Sequence, residues 1–163
     1  MTFSFSSQGI NTLVIVLLIG FLGYNFVEKA RKGEFPKMRR IAGLDVIAEA
    51  TGRATELGRP VHFSPGIGGI TNDVAPQTFA ALSLLSYVSD LTAKYDTGLI
   101  VTIRTGVVYP LADETVRLSY VNAGRADSYN QNIVRFISDQ QFAYAAGAMG
   151  IFAREKIAAN IMM

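Results

Sequence analysis

No cysteine and no tryptophan occur in these 163 residues, and histidine occurs once, at His62. Without cysteine there is no disulfide framework, no thiolate metal site and no cysteine nucleophile. With a single imidazole, a metal site would have to rest on carboxylates, and no acidic cluster has the spacing for one. A hydrolase triad would have to use His62, yet the nucleophile-elbow pattern G-x-S-x-G is missing. No cofactor and no metal are therefore expected, and a non-enzymatic role is preferred to a catalytic one. Charge is missing altogether from residues 1–27.

The segment immediately after that charge-free stretch is its opposite. Residues 28–40 hold six cations, Lys29, Arg31, Lys32, Lys37, Arg39 and Arg40, against Glu28 and Glu34. The collar carries +4 of a net charge of +2, so the remaining nine cations and eleven anions sum to −2. The basic balance belongs to the collar and does not point to nucleic acid; anionic lipid headgroups are its expected partner. Residues 10–27 number 18, which as a helix reach about 27 Å, just enough for a hydrocarbon core of about 30 Å. A helix also satisfies every backbone amide internally. Gly20 and Gly23 interrupt the run, either as tolerated glycines or as a face where a second helix approaches. With no cation before the span and six after it, the sequence predicts an outward N-terminus and a cytoplasmic remainder. A cleaved signal peptide is the rival reading, but residues 1–9 have no positive side chain.

The expected organisation is an extracytoplasmic N-terminus at 1–9, a transmembrane helix at 10–27, a basic juxtamembrane linker at 28–40 and a cytoplasmic α/β domain at 41–163. About 120 residues suffice for one core. Residues 41–57 have helical periodicity and stop at Gly58 and Pro60. Residues 61–64 read as a short strand, followed by the loop P-G-I-G-G-I-T-N at 65–72. Residues 76–95 form a very apolar helix, with a polar stripe only at Ser83, Ser86, Asp90 and Lys94. Such a helix should be buried on more than one side. Further strands are expected at 99–104 and 133–138, further helices at 110–122 and 140–156. In the last of these, Ala143 and Gly147, like Ala146 and Gly150, are spaced by four, giving a smooth face on what reads as a buried helix. Residues 157–163 begin another apolar strand, so the pattern predicts that the natural chain continues or that a partner buries that end. Apolar strands alternating with helices predict a Rossmann-like three-layer α/β domain with a mainly parallel sheet.

In open parallel sheets, ligands bind beyond the carboxyl ends of the strands. That rule selects Ser64, Gly66, Gly68, Gly69, Thr71, Asn72, Asp73, Arg104, Thr105 and Asp139 as a candidate crevice, whose loop amides and guanidinium suit a phosphate or carboxylate. Two readings of the glycines stand. Thr71 occupies the place of the third glycine of the dinucleotide fingerprint and no lysine follows, so turn chemistry competes with ligand contact. Arg104 could equally pair with an acidic side chain and lock two loops together. His62 alternates with Val61 and Phe63 and reads as a satisfied, partly buried histidine. Asp113 and Glu114 read as first-turn acids that complement a helix dipole.

The strings H-F-S-P-G at 62–66, V-N-A-G-R at 121–125 and S-D-Q-Q-F-A-Y-A-A-G-A-M-G at 138–150 resemble an uncharacterised family of prokaryotic membrane-tethered α/β proteins of unknown function. The resemblance implies a membrane location and a domain that commonly runs on past residue 163; it assigns no catalytic residue. Two functions remain. The first is a single-pass membrane-anchored scaffold or accessory subunit that self-associates or docks on a larger membrane complex. The second is a domain that binds or processes a phosphorylated or nucleotide ligand in the crevice.

Overall fold

The structure, a computed structural model, describes residues 7–33, 42–71 and 73–163. The chain divides into two units, 1–40 and 41–163. In the first, helix α1 runs Ser7–Arg31, longer at both ends than the apolar run that nucleates it. Its stretch Gly9–Arg31 is long and apolar enough to cross a membrane, by length and composition. Lys29 and Arg31 occupy its last turn, where cations complement the helix dipole, and Lys32 follows directly. Lys37, Arg39 and Arg40 lie outside the described residues.

The second unit is a mixed α/β domain. Helix α2 (Ala42–Leu57) leads into strand β1 (Val61–Ser64), and α3 (Ala75–Tyr95) into β2 (Leu99–Ile103). A single 3₁₀ turn joins β2 to α4 (Tyr109–Asn122); β3 (Val134–Phe136), α5 (Gln141–Glu155) and β4 (Ala159–Met162) complete the chain. All pairings are parallel and the strand order is β3-β2-β1-β4. Gly58 ends α2 in the left-handed region at φ +60°, a conformation glycine adopts without a Cβ penalty.

The register assigns the two faces of the sheet. Val61 and Phe63 align with Leu99 and Val101 on one side and with Ala159 and Ile161 on the other. Together with Ile103 and Val134 they meet Leu82, Leu85 and Val88 of α3, Val108 and the α4 residues Ala112, Val116 and Tyr120, and Ala54 of α2 in the main core. A right-handed crossover keeps α3 and α4 on this face while the chain steps outward from β1 to β3. To reach β4 on the far edge of β1 the chain must reverse direction, and the same handedness then places α5 on the opposite face. There it meets the alternate residues His62, Ser64 and Thr102, of which His62 is satisfied as its alternation predicts.

The apolar α3 is buried on more than one side, as its composition predicts, because α2 and α4 flank it while the sheet lies beneath. Two other expectations need correction. Helix α5 is not a buried helix: only Tyr144, Ala148 and Ile151 are buried, and Phe142 is 91% exposed. At Gly147 the small side does allow a close approach, since a Cβ there would run into the side chain of Ile137. Finally, α4 starts at Tyr109, so Asp113 and Glu114 fall beyond its first turn. Asp113 instead accepts the Tyr129 hydroxyl, and Glu114 takes a two-pronged bond from Arg117 at 2.6 and 2.7 Å.

The packing sets a measurable contrast between two phenylalanines. Phe63→Ala, fully buried at the centre of the sheet, is expected to cost about 3–5 kcal/mol in urea unfolding. Phe142→Ala in the monomer should stay within about 0.5 kcal/mol of the parent.

Candidate functional site

The carboxyl ends of β1, β2 and β3 do converge, as parallel pairing requires, but their side chains bind the backbone of the neighbouring loops. Arg104 Nη1 donates to the Ile67 carbonyl at 2.9 Å, and the Thr105 hydroxyl donates to the same oxygen at 3.4 Å. Asp139 Oδ1 accepts the Gly106 amide at 3.2 Å. Arg104 therefore holds the β1 loop to the β2 loop, and Asp139 ties the β3 loop to them. Gly69 offers its carbonyl to the Thr78 hydroxyl at 2.9 Å. Thr71 and Asp73 lie farther along the same loop, and Asn72 lies outside the described residues.

Ser64 is not in an open crevice. It is buried beneath α5, where its Oγ lies 2.7 Å from the Tyr144 hydroxyl. That hydroxyl is 2.8 Å from Thr102 Oγ1, which is 2.9 Å from His62 Nε2; His62 Nδ1 is 2.7 Å from Asn160 Oδ1. Four elements thus contribute to one relay: β1, β2, β4 and α5. The direction of its protons is set by the ends. An amide oxygen only accepts, so His62 carries its hydrogen on Nδ1 and Nε2 is an acceptor. Thr102 then donates to His62, Tyr144 to Thr102, and Ser64 to Tyr144, while Ser64 Oγ accepts the Gly66 amide at 3.3 Å. Every member is satisfied in the neutral state.

The electrostatics agree with that assignment. His62 is fully buried, and burial lowers its pKa below the ordinary 6.5, opposed only by its bond to Asn160. No carboxylate is among the causes, so no negative charge offsets the cost of a buried cation. Phe152 of α5 packs edge-on against the ring, with centroids 4.7 Å apart. The relay is a structural tie. Its hydroxyls and its imidazole are spent on each other, and among the described residues no group of three or more His, Asp or Glu side chains could hold a metal. Alternation was the signal that could have found it: polar residues at every second position of V-H-F-S and at the centre of A-N-I.

One cavity opens at the strand ends, between β1 and β4. It is lined by Gly66 and Gly68 of the predicted crevice, together with Ile67, Val74, Gln77 and Met163, and encloses about 540 Å³. The predicted site residues divide accordingly: Gly66 and Gly68 border this cavity, whereas Arg104, Thr105 and Asp139 lock loops at the ends of β2 and β3.

The family model described as a domain of unknown function, DUF6754, matches residues 2–163. Neither a curated protein nor a solved structure matches the chain.

The lone imidazole makes the relay directly observable. Because its folded pKa is depressed, the unfolded chain binds more protons below about pH 6.5. Stability from this group is therefore present above pH 6.5 and lost as pH falls through the folded value, with a slope of at most about 1.4 kcal/mol per pH unit. Urea midpoints between pH 7 and 5.5 should show this slope in the parent and lose it in His62→Gln. The ¹⁵N spectrum of His62 at pH 7 should show the Nδ1–H tautomer. Tyr144→Phe, which leaves Ser64 and Thr102 short of a partner, should cost about 1–3 kcal/mol.

Proposed function

The chain belongs to the DUF6754 family, and on that premise we propose that it is a single-pass membrane-anchored scaffold or accessory subunit whose cytoplasmic α/β domain docks on a second copy of itself. The observation that carries this reading is the outer surface of α5. From Gln141 to Ala153 the helix has no charged residue. Phe142 is 91% and Met149 64% exposed, and Ala145, Ala146 and Ala153 are exposed as well. Spaced at 3, 4, 7 and 11 residues, the five share one face, and an exposed apolar stripe of this kind is a mark of an interaction surface.

The internal chemistry supports a non-catalytic role, because the polar groups with catalytic potential at the strand ends and under α5 are engaged in holding loops and layers together. Helix α1 supplies the anchor in this proposal. The cations after it would hold the N-terminus outside and the domain at the cytoplasmic face, with anionic headgroups around Lys29, Arg31, Lys32, Lys37, Arg39 and Arg40. Confinement in a membrane raises the effective concentration of a modest interface, so α5 need not bind tightly in solution.

The test is the size of the full chain in mild detergent and in nanodiscs. An oligomer is expected for the parent and a monomer for Phe142→Glu, with unchanged unfolding of the domain. A parent that stays monodisperse and monomeric at high concentration, with no stoichiometric partner, would sink the proposal. Orientation has its own experiment, since the chain has no native cysteine. An impermeant maleimide applied to intact cells should label Thr2→Cys and spare Lys156→Cys.

A further inference from the structure

We infer that the cavity between the carboxyl ends of β1 and β4 is a binding site for an uncharged, mainly apolar small molecule carrying one hydrogen-bonding group. Topology places it where a ligand would be received. The chain steps from β1 to β2 to β3 in one direction and then returns to β4 on the other edge of β1. The connection that leaves β1 and the one that leads into β4 therefore run over opposite faces of the sheet, which makes the carboxyl ends of these two strands the switch point where open parallel sheets receive ligands. The cavity lies there, between Gly66, Ile67 and Gly68 after β1 and Met163 after β4, with Val74 and Gln77 at the start of α3 as its wall. Its volume of about 540 Å³ suits a small ligand.

The lining decides the class of ligand. No charged side chain borders the cavity among the described residues. The Arg104 guanidinium, the counter-ion a phosphate would want, does not border the cavity: its Nη1 donates to the Ile67 carbonyl and its buried Nε has no partner. The glycines are not a phosphate cradle. A Cβ on Gly66 would lie 2.6 Å from the Met163 carbonyl oxygen, and one on Gly68 would lie 2.7 Å from Thr78 Oγ1, so protein atoms already fill the space that the missing side chains open. At the start of α3 the amides of Gln77 and Thr78 both donate to the Val74 carbonyl, at 3.0 and 3.2 Å. An anion would meet no charged side chain in this lining. Apolar surface, in contrast, is offered freely, since Ile67 is 53% and Met163 56% exposed. Two polar side chains border the cavity: the Thr78 hydroxyl donates to the Gly69 carbonyl, and exposed Gln77 supplies the polar contact for a ligand. This ligand class replaces the phosphorylated one that the glycine loop suggests, and it is independent of the self-association proposed above.

The experiment uses the full chain in nanodiscs with ¹³C-labelled isoleucine and methionine methyl groups. N-benzylacetamide serves as the neutral probe, and inorganic phosphate and AMP as the anionic ones. The neutral probe is expected to shift the Ile67 and Met163 methyl signals saturably while leaving buried Ile103 in place. Ala80→Phe, which fills the cavity from α3, should abolish the shift, and Gln77→Leu should weaken binding about fivefold, the loss of one neutral hydrogen bond. The inference is overturned if millimolar N-benzylacetamide leaves both methyls unmoved. It is overturned equally if the shift survives in Ala80→Phe, as partition into lipid would produce, or if phosphate or AMP binds there instead. None of these outcomes alters the oligomer measurement, so the two proposals fail separately.

Discussion

The pairing of β1 to β2 on one edge and to β4 on the other is the constraint on which the rest of the domain depends. A strand central in a parallel sheet is covered on both faces and donates and accepts along both edges. With right-handed crossovers, reaching β2 and reaching β4 from the same strand demands helices on opposite faces. That single requirement lifts α5 away from α2, α3 and α4, gives each face its own chemistry, and makes the carboxyl ends of β1 and β4, where the cavity lies, the switch point of the sheet.

The two faces solve the burial problem differently. Beneath α3 and α4 the contacts are hydrocarbon, with Phe63, Leu85, Val88, Val101 and Val116 all fully buried. Beneath α5 the sheet offers His62, Ser64 and Thr102, which would be costly to bury singly. They are tolerated because Tyr144 and Asn160 complete a relay with a consistent proton direction. A satisfied polar network contributes less adhesion than the same area of hydrocarbon, but it admits few alternative registers. A one-residue slip of β4 would replace Asn160 with Ala159 or Ile161 opposite His62 and leave the imidazole Nδ1–H unpaired.

Much of the architecture was legible because its signals are local. The strand-helix alternation, the stop at Gly58, the apolar run that becomes α1 and the apolar strand at the end of the chain all show in composition and spacing. Pairwise meetings were not legible, because they depend on strand order and register. Arg104, Thr105 and Asp139 were correctly placed at strand ends, yet spacing alone cannot say whether a guanidinium faces a ligand or the carbonyl of Ile67. The crevice was sought across β1, β2 and β3 because their loops carry polar residues. The reversal between β1 and β4, which produces a cavity with a greasy lining, is a property of topology. Helix α5 misled for a simpler reason: an apolar composition predicts that a surface will be covered, but not by which molecule.

Helix α5 joins these observations. Its inner side rests on the sheet through only three buried residues, Tyr144, Ala148 and Ile151, with Phe152 against His62, so geometry holds it more than area does. Its outer side presents apolar surface that water covers at a cost of about 25 cal/mol per Å². A partner on that side, as proposed, would add the adhesion that the polar inner side lacks, and a helix clamped between two surfaces would lose the option of lifting from the sheet. Docking and the seating of α5 would then be one equilibrium. A change that loosens the relay raises the cost of docking by the free energy needed to reseat the helix, and a docked partner returns the same free energy to the relay, because linkage between two binding events is reciprocal. The buried histidine and the exposed phenylalanine sit on opposite sides of one helix, and that helix gives each a physical route to the other.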